Sequence, residues 1–338
     1  MHVRFSAVLS VLLLGAVGLG ACDPPAEGPP PAAPLPDPVS TTESSVPVGE
    51  AAPASMVPGA ISPPFVAAAG GGGAAPKVAC PTRVPRREPV AHVPPPMGWV
   101  ALPAAPDPLA LKCGNLSRRE WVVKRGARDV EIALANRRPV DDPLPFPLPG
   151  KGTRRVKSVD NGFLVGFDGA EHGGALWWFG AAGERRLRLS EENVIGFAEL
   201  GGVPVAITGL AQSGISKGRV IRLSPDSSSN TWRVGAWVDL GGASQTFVSE
   251  SPETMLVLTT GGLVRITACG DMSLVAPARY DVLYPSSMAV DDAGVVTIGM
   301  RHFTTRWIPS ANGYREEWLV RADCAQPSIK KFECVCGR

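Results

Sequence analysis

The chain has 338 residues and a formal net charge of +2, with 35 prolines, 38 glycines and eight tryptophans. No aromatic interleaving or nucleic-acid motif accompanies its arginines, which argues against a nucleic-acid partner. Twenty-three prolines fall between Asp23 and Ala110, whereas seven tryptophans follow Glu120. Proline removes backbone donors and aromatic rings supply buried area, so one core is expected in the C-terminal part.

Met1 to Ser6 is a weakly positive start with His2 and Arg4. Ala7 to Gly20 is apolar and shorter than the roughly 20 residues of a comfortable membrane span. Small residues follow, and residues 1–21 read as a secretory signal peptide. Its ending, Leu19-Gly20-Ala21-Cys22, resembles the lipobox of bacterial lipoproteins. The resemblance implies diacylation of the Cys22 sulfur, cleavage before Cys22 and acylation of the new amino group. Several acyl chains anchor a protein stably where one does not. An Asp after the lipidated Cys resembles an inner-membrane retention signal of enteric bacteria. Asp23 therefore slightly favours the inner over the outer membrane, with the folded part facing the periplasm.

Residues 22–112 read as the lipidated Cys plus a disordered linker rich in Pro, Ala and Gly, unable to bury enough apolar surface to offset chain entropy. About 85 residues in even a compact coil span roughly 50 Å. Cys80 marks a point where this tract is tied to the folded part. From Lys77 to Lys157 there are 16 Lys/Arg against 7 Asp/Glu, a difference of +9. Most of these cations are pairs, such as Arg86-Arg87, Arg118-Arg119 and Arg154-Arg155. They read as a solvated surface or as a footprint for anionic headgroups and envelope polymers.

Residues 113–338 read as an all-β, β-propeller-like domain with four visible repeats of four strands. The first repeat takes strands at 156–160, 163–167, 175–179 and 186–189. The second takes 194–197, 203–208, 219–223 and 232–240, and the third 246–249, 255–259, 263–266 and 273–275. The fourth takes 287–290, 295–300, 317–321 and 329–335. Asn161-Gly162, Gly201-Gly202 and Gly261-Gly262 supply the positive φ of tight hairpin turns. Segments 121–124 and 130–134 form another hairpin, either a partial fifth blade or the completion of the last one. A β-sandwich is the alternative fold.

Setting Cys22 aside leaves six cysteines, Cys80, Cys113, Cys269, Cys324, Cys334 and Cys336. An even number outside the cytoplasm reads as up to three disulfides, and six cysteines allow 15 pairings. Cys269 and Cys324 are expected in equivalent turns of successive blades, too far apart for an easy bond. Cys113 is a candidate to clip the start of the domain to the last strand.

No nucleophile elbow, phosphate-cradling loop or dinucleotide fingerprint occurs, and no cofactor is expected. His172 and His302 both follow a second strand, in repeats one and four. If those blades meet on closure, Asp168, Glu171, His172, Arg301 and His302 share a face with Gln212 and Ser213. The leading expectation is a non-enzymatic lipoprotein whose propeller face binds a protein or an envelope polymer. One alternative is an immunity lipoprotein against an envelope-targeting toxin. Another is a hydrolase or lyase using the His172/His302 loop face.

Overall fold

The computed structural model describes residues 88–105, 119–127, 129–136, 144–148, 152–212, 214–280, 283–301 and 303–325. Among them, all regular elements are β-strands apart from two short 3-10 turns. Three strands precede the repeats: β1 (Trp99–Ala101), β2 (Arg119–Arg125) and β3 (Val130–Asn136). Blade one is β4 (Thr153–Val159), β5 (Gly162–Asp168), β6 (Gly174–Gly180) and β7 (Arg186–Ser190). Blade two is β8 (Val194–Leu200), β9 (Val203–Gln212), β10 (Ile215–Asp226) and β11 (Thr231–Asp239). Blade three is β12 (Ser244–Ser251), β13 (Thr254–Thr259), β14 (Gly262–Thr267) and β15 (Met272–Ala276). Blade four is β16 (Pro285–Val290), β17 (Val296–Met300), β18 (Thr304–Ser310) and β19 (Gly313–Arg321).

Each blade is an antiparallel meander in chain order. The first strand of each blade packs on the blade before it: β8 on β4 and β5, β12 on β8 and β9, β16 on β12. Blade after blade stacked this way is a β-propeller arrangement, not the two facing sheets of a sandwich. Both faces of a blade are apolar for that reason. In β5, Leu164 joins Leu176, Trp178, Val194 and Leu223 on the side of blade two. Val165 and Phe167 alternate to the other side and join Phe179. Asn161 does more than turn the chain: its Oδ1 accepts the indole N–H of Trp178 at 3.2 Å and of Trp232 at 2.8 Å, joining blades one and two.

The fourth repeat differs from the sequence expectation. Its third strand is β18, and residues 317–321 belong to the fourth strand, β19. Residues 329–335 lie outside the described residues. The segment 304–310 hides its strand character because it carries Pro309 and the buried Arg306. Pro309 is tolerated one residue from the strand end.

The hairpin β2–β3 occupies the place of a fifth inner strand. β2 packs on β16 and β17, as other first strands pack on the preceding blade. The Val123 N–H donates to Ser287 Oγ at 3.0 Å, and that hydroxyl donates to the Trp121 carbonyl at 3.3 Å. Arg125 donates to the Val290 carbonyl at 3.0 Å and pairs with Asp292. A Cβ at Gly299 would lie 2.2 Å from the Trp121 carbonyl oxygen. The same device recurs in β9, where a Cβ at Gly209 would lie 2.3 Å from the Ser244 carbonyl oxygen. A strand glycine admits a neighbouring backbone in each case.

The folded part begins earlier than residue 113, which corrects the linker boundary. Val90 N–H donates to the Pro309 carbonyl at 3.0 Å. The buried Arg306 guanidinium pairs with Glu317 and donates to the carbonyls of Val93 at 2.6 Å and Pro94 at 2.7 Å. β1 then pairs with β19 as a fifth strand of blade four. Trp99 and Trp121 meet edge to face with centroids 4.9 Å apart. Leu144, Phe146 and Leu148 cover the face of blade one turned away from blade two, with Phe146 5.4 Å from Phe179 and 5.8 Å from Phe163.

Blade three and blade four each hold a partly buried polar cluster. Glu250 takes Arg265 in two hydrogen bonds of 2.6 and 2.9 Å. Burial alone would lower the guanidinium pKa, and the carboxylate more than offsets it. The Tyr280 hydroxyl donates to Glu316 and accepts from the Trp307 indole at 2.9 Å. Burial, then the Glu316 carboxylate, hold Tyr280 far above the ordinary tyrosine range.

Two outcomes follow. Gly299→Ala forces β2 away from blade four and is expected to cost about 1–3 kcal/mol of stability. Hydrogen exchange should accelerate in Trp121–Arg125 while the amides of β9 stay protected; unchanged exchange in β2 refutes the fifth-strand placement. Tyr280 stays protonated in the folded chain, so its contribution is complete below pH about 10 and is lost as pH rises. Unfolding free energies from urea titrations should fall above that pH by up to about 1.4 kcal/mol per pH unit from this group. Tyr280→Phe should be less steep, and equal slopes would show that Tyr280 ionises freely.

Candidate functional site

Connections between second and third strands share one end of the propeller with the connections between blades. The hairpin β9–β10 dominates that end. β8 pairs with β9 only up to Thr208, and β11 pairs with β10 only from Arg219. The Gly209 N–H still donates to the Asn193 carbonyl and the Leu240 N–H to the Gly218 carbonyl, so residues 210–212 and 215–217 pair only with each other in that sheet. Three strand residues project about 10 Å. Near the tip Ile215 is 51% exposed.

The hairpin is braced on both sides. Gln212 Nε2 donates to Glu171 Oε2 at 3.4 Å, reaching the 3-10 turn Ala170–His172 of blade one. His172 Nε2 lies 3.7 Å from Glu171 Oε1, with both side chains exposed. Asp168 Oδ1 accepts the Ala170 N–H at 3.0 Å and shapes that turn. Asn193 Nδ2 donates to the Ala170 carbonyl at 2.9 Å and fixes the turn to blade two. On the other side the hydroxyls of Ser216 and Thr260 are 2.6 Å apart, and Ala243 N–H donates to Ser216 at 3.0 Å. At the hairpin base, Glu192 accepts from Thr208 at 2.6 Å and from Arg219 at 3.0 Å.

The seven expected site residues divide accordingly. Glu171, His172 and Gln212 come together, and Asp168 supports their turn. Ser213 and His302 lie outside the described residues. Arg301 sits on blade four and is buried, its guanidinium carbon 3.7 Å from the centroid of the Tyr284 ring. On blade four, the β16–β17 face is taken by β2. Ile215, Ser216 and Thr260 were not singled out in the sequence. Ile215 and Ser216 lie in the long gap between the second and third strands of repeat two, and Thr260 lies in the β13–β14 turn of blade three.

Chemically, this end offers a carboxylate, an imidazole, an amide and an exposed aliphatic tip. Among the described residues, no group of three or more His, Cys, Asp or Glu is placed to hold a metal ion. Cys269 is disulfide-bonded. It sits in the β14–β15 turn, at the end of the propeller opposite the hairpin. Residues 322–325 follow β19 at the hairpin end, so Cys269 and Cys324 do not occupy equivalent turns. Cys80, Cys113, Cys334 and Cys336 lie outside the described residues.

The described residues form a β-propeller-like fold of four successive blades, with the β2–β3 hairpin beside blade four and one elaborated loop face. No family model and no curated protein matches the chain. Among solved structures it resembles Kuenenia stuttgartiensis hydrazine synthase, with TM-score 0.30, 18% identity, and 44% of this chain and 50% of that chain covered. The chain thus spans half of that chain's length. It also resembles virginiamycin B lyase from Staphylococcus aureus, with TM-score 0.33, 12% identity, and 60% of this chain and 70% of that chain covered. A Xanthomonas campestris gluconolactonase gives TM-score 0.30 and 14% identity over 50% of this chain and 75% of its own. The propeller assignment stands on the sheet order given above.

Because the hairpin tip is held by few buried contacts, Ile215→Ser should change stability by no more than about 0.5 kcal/mol. A shift of several kcal/mol in urea unfolding would show that the tip is part of the core.

Proposed function

We propose that the chain is a lipid-anchored, extracytoplasmic binding protein of the bacterial envelope. Its loop face, centred on the β9–β10 hairpin, takes a protein or an envelope polymer. The observation carrying this reading is directional. The N-terminal segment meets blade four at Val90, beside Pro309, which is at the end of the sheet away from the hairpin. A chain anchored through Cys22 would thus pull from one end and present the hairpin at the other. The disulfide at Cys269 fits a compartment outside the reducing cytoplasm. An exposed Ile215 beside Glu171, His172 and Gln212 offers the mixed apolar and polar surface that interfaces use.

The anchor is tested by metabolic labelling with palmitate. The full chain should carry label, and Cys22→Ser should lose it and leave the membrane fraction. Processing unaltered by globomycin refutes the anchor. The loop face is tested separately with the soluble Cys22→Ser chain as bait in envelope extract. Replacing residues 210–217 by a two-residue turn should reduce retention of the captured partner at least tenfold. Equal retention by both baits refutes the hairpin as the binding element.

A further inference from the structure

Tyr284 and Arg301 form a pair at the hairpin end of the propeller. Tyr284 ends the connection between blades three and four, and Arg301 begins the turn between β17 and β18. The Arg301 side chain is buried at 5% exposure, whereas Tyr284 is 41% exposed. The guanidinium carbon lies 3.7 Å from the ring centroid, so one face of the ring rests on a buried cation and the rest of the side chain meets solvent. The Arg301 N–H also donates to the Leu283 carbonyl at 3.1 Å, which fixes the backbone just before the tyrosine.

Tyr284 adopts a φ of 53°. A positive φ is an outlier for a bulky side chain, and Pro285 narrows the backbone of the residue before it further. Glycine would sit there without strain. A residue that keeps a strained backbone while holding a ring in solvent is placed for contact, not for packing.

We infer that Tyr284 is a stacking platform for a sugar ring and that the loop face takes a glycan, an inference that rests on the loop-face reading of function. Topology puts the platform beside the hairpin. β16, which Tyr284 precedes, packs on β12, and Ala243, just ahead of β12, donates to Ser216 of the hairpin. A sugar ring has an apolar C–H face and a rim of hydroxyls. The negative face of an aromatic ring attracts those C–H groups. Glu171, Gln212, Ser216 and Thr260 offer acceptors and donors for the rim. A protein partner fits less well, because the centres of protein interfaces are poor in charge and rich in packed aromatic and aliphatic anchors. Here one ring stands among a carboxylate, an amide and hydroxyls. Held from below by Arg301, it loses little freedom on binding.

The test uses the soluble Cys22→Ser chain as bait for an envelope extract digested with proteinase K and then heated, with retained sugar measured after acid hydrolysis. The bait should retain sugar. Tyr284→Phe keeps the ring and should retain as much, whereas Tyr284→Gly should retain about tenfold less. Muramic acid in the hydrolysate marks wall glycan as the source and its absence marks another envelope polysaccharide; both support the platform. Tyr284→Gly should also unfold at the urea concentration of its parent, and a clearly lower midpoint overturns the inference by making the ring a packing residue. Equal sugar retention by Tyr284→Gly overturns it too, as does a bait that holds no sugar. If retention falls with the replacement of residues 210–217 and not with Tyr284→Gly, the loop face stands and the platform falls. A partner captured only from undigested extract is a protein, and then the loop face stands without the glycan.

Discussion

A blade is a sheet with two apolar faces, and each face must be covered. Within the run of four blades this is automatic, because each blade lies on the next. Among the described residues, the two faces flanking the fifth sector have no full blade between them. Blade four receives β2 on its inner strands and the segment from Val90 to Pro94 on its outer ones. Blade one receives Leu144, Phe146 and Leu148. The proline-rich pieces are therefore not passive. They replace the outer part of a missing sheet, at positions where ladder hydrogen bonds are not needed.

Arg306 shows how such a piece is held. Proline cannot donate to a sheet, yet its neighbourhood still offers carbonyl acceptors. A guanidinium carries five donors in a rigid fork. Arg306 spends them on Glu317 and on the carbonyls of Val93 and Pro94. Leaving a buried charge unpartnered is costly. The arginine and the segment thus need each other, which explains why a charged side chain at 3% exposure is tolerated in β18.

Much of this was legible in the sequence. Alternating apolar residues and turn glycines located the strands of the first three blades, since each strand is local and both its faces are buried. Blade four was legible only in its first two strands. Thr304 to Ser310 reads as a loop because Arg306 and Pro309 break the pattern, and only a distant segment explains Arg306. β1 is three residues in a proline tract, and its partner β19 lies more than 200 residues away. The site was half legible. Glu171, His172 and Gln212 were placed on one face by counting strands. The projection of the hairpin was not, because it depends on where β8 and β11 stop pairing.

The route of the N-terminal segment has a mechanical side. From Val90 to Trp99 the chain climbs blade four along the strand direction, and then β1 turns back against β19. Tension drawn through residue 88 acts along that axis. It loads the Val90 bond and the Arg306 bonds together, in shear, instead of peeling them one by one. The strongest grip on the segment therefore opposes the very direction in which a tether would drag it.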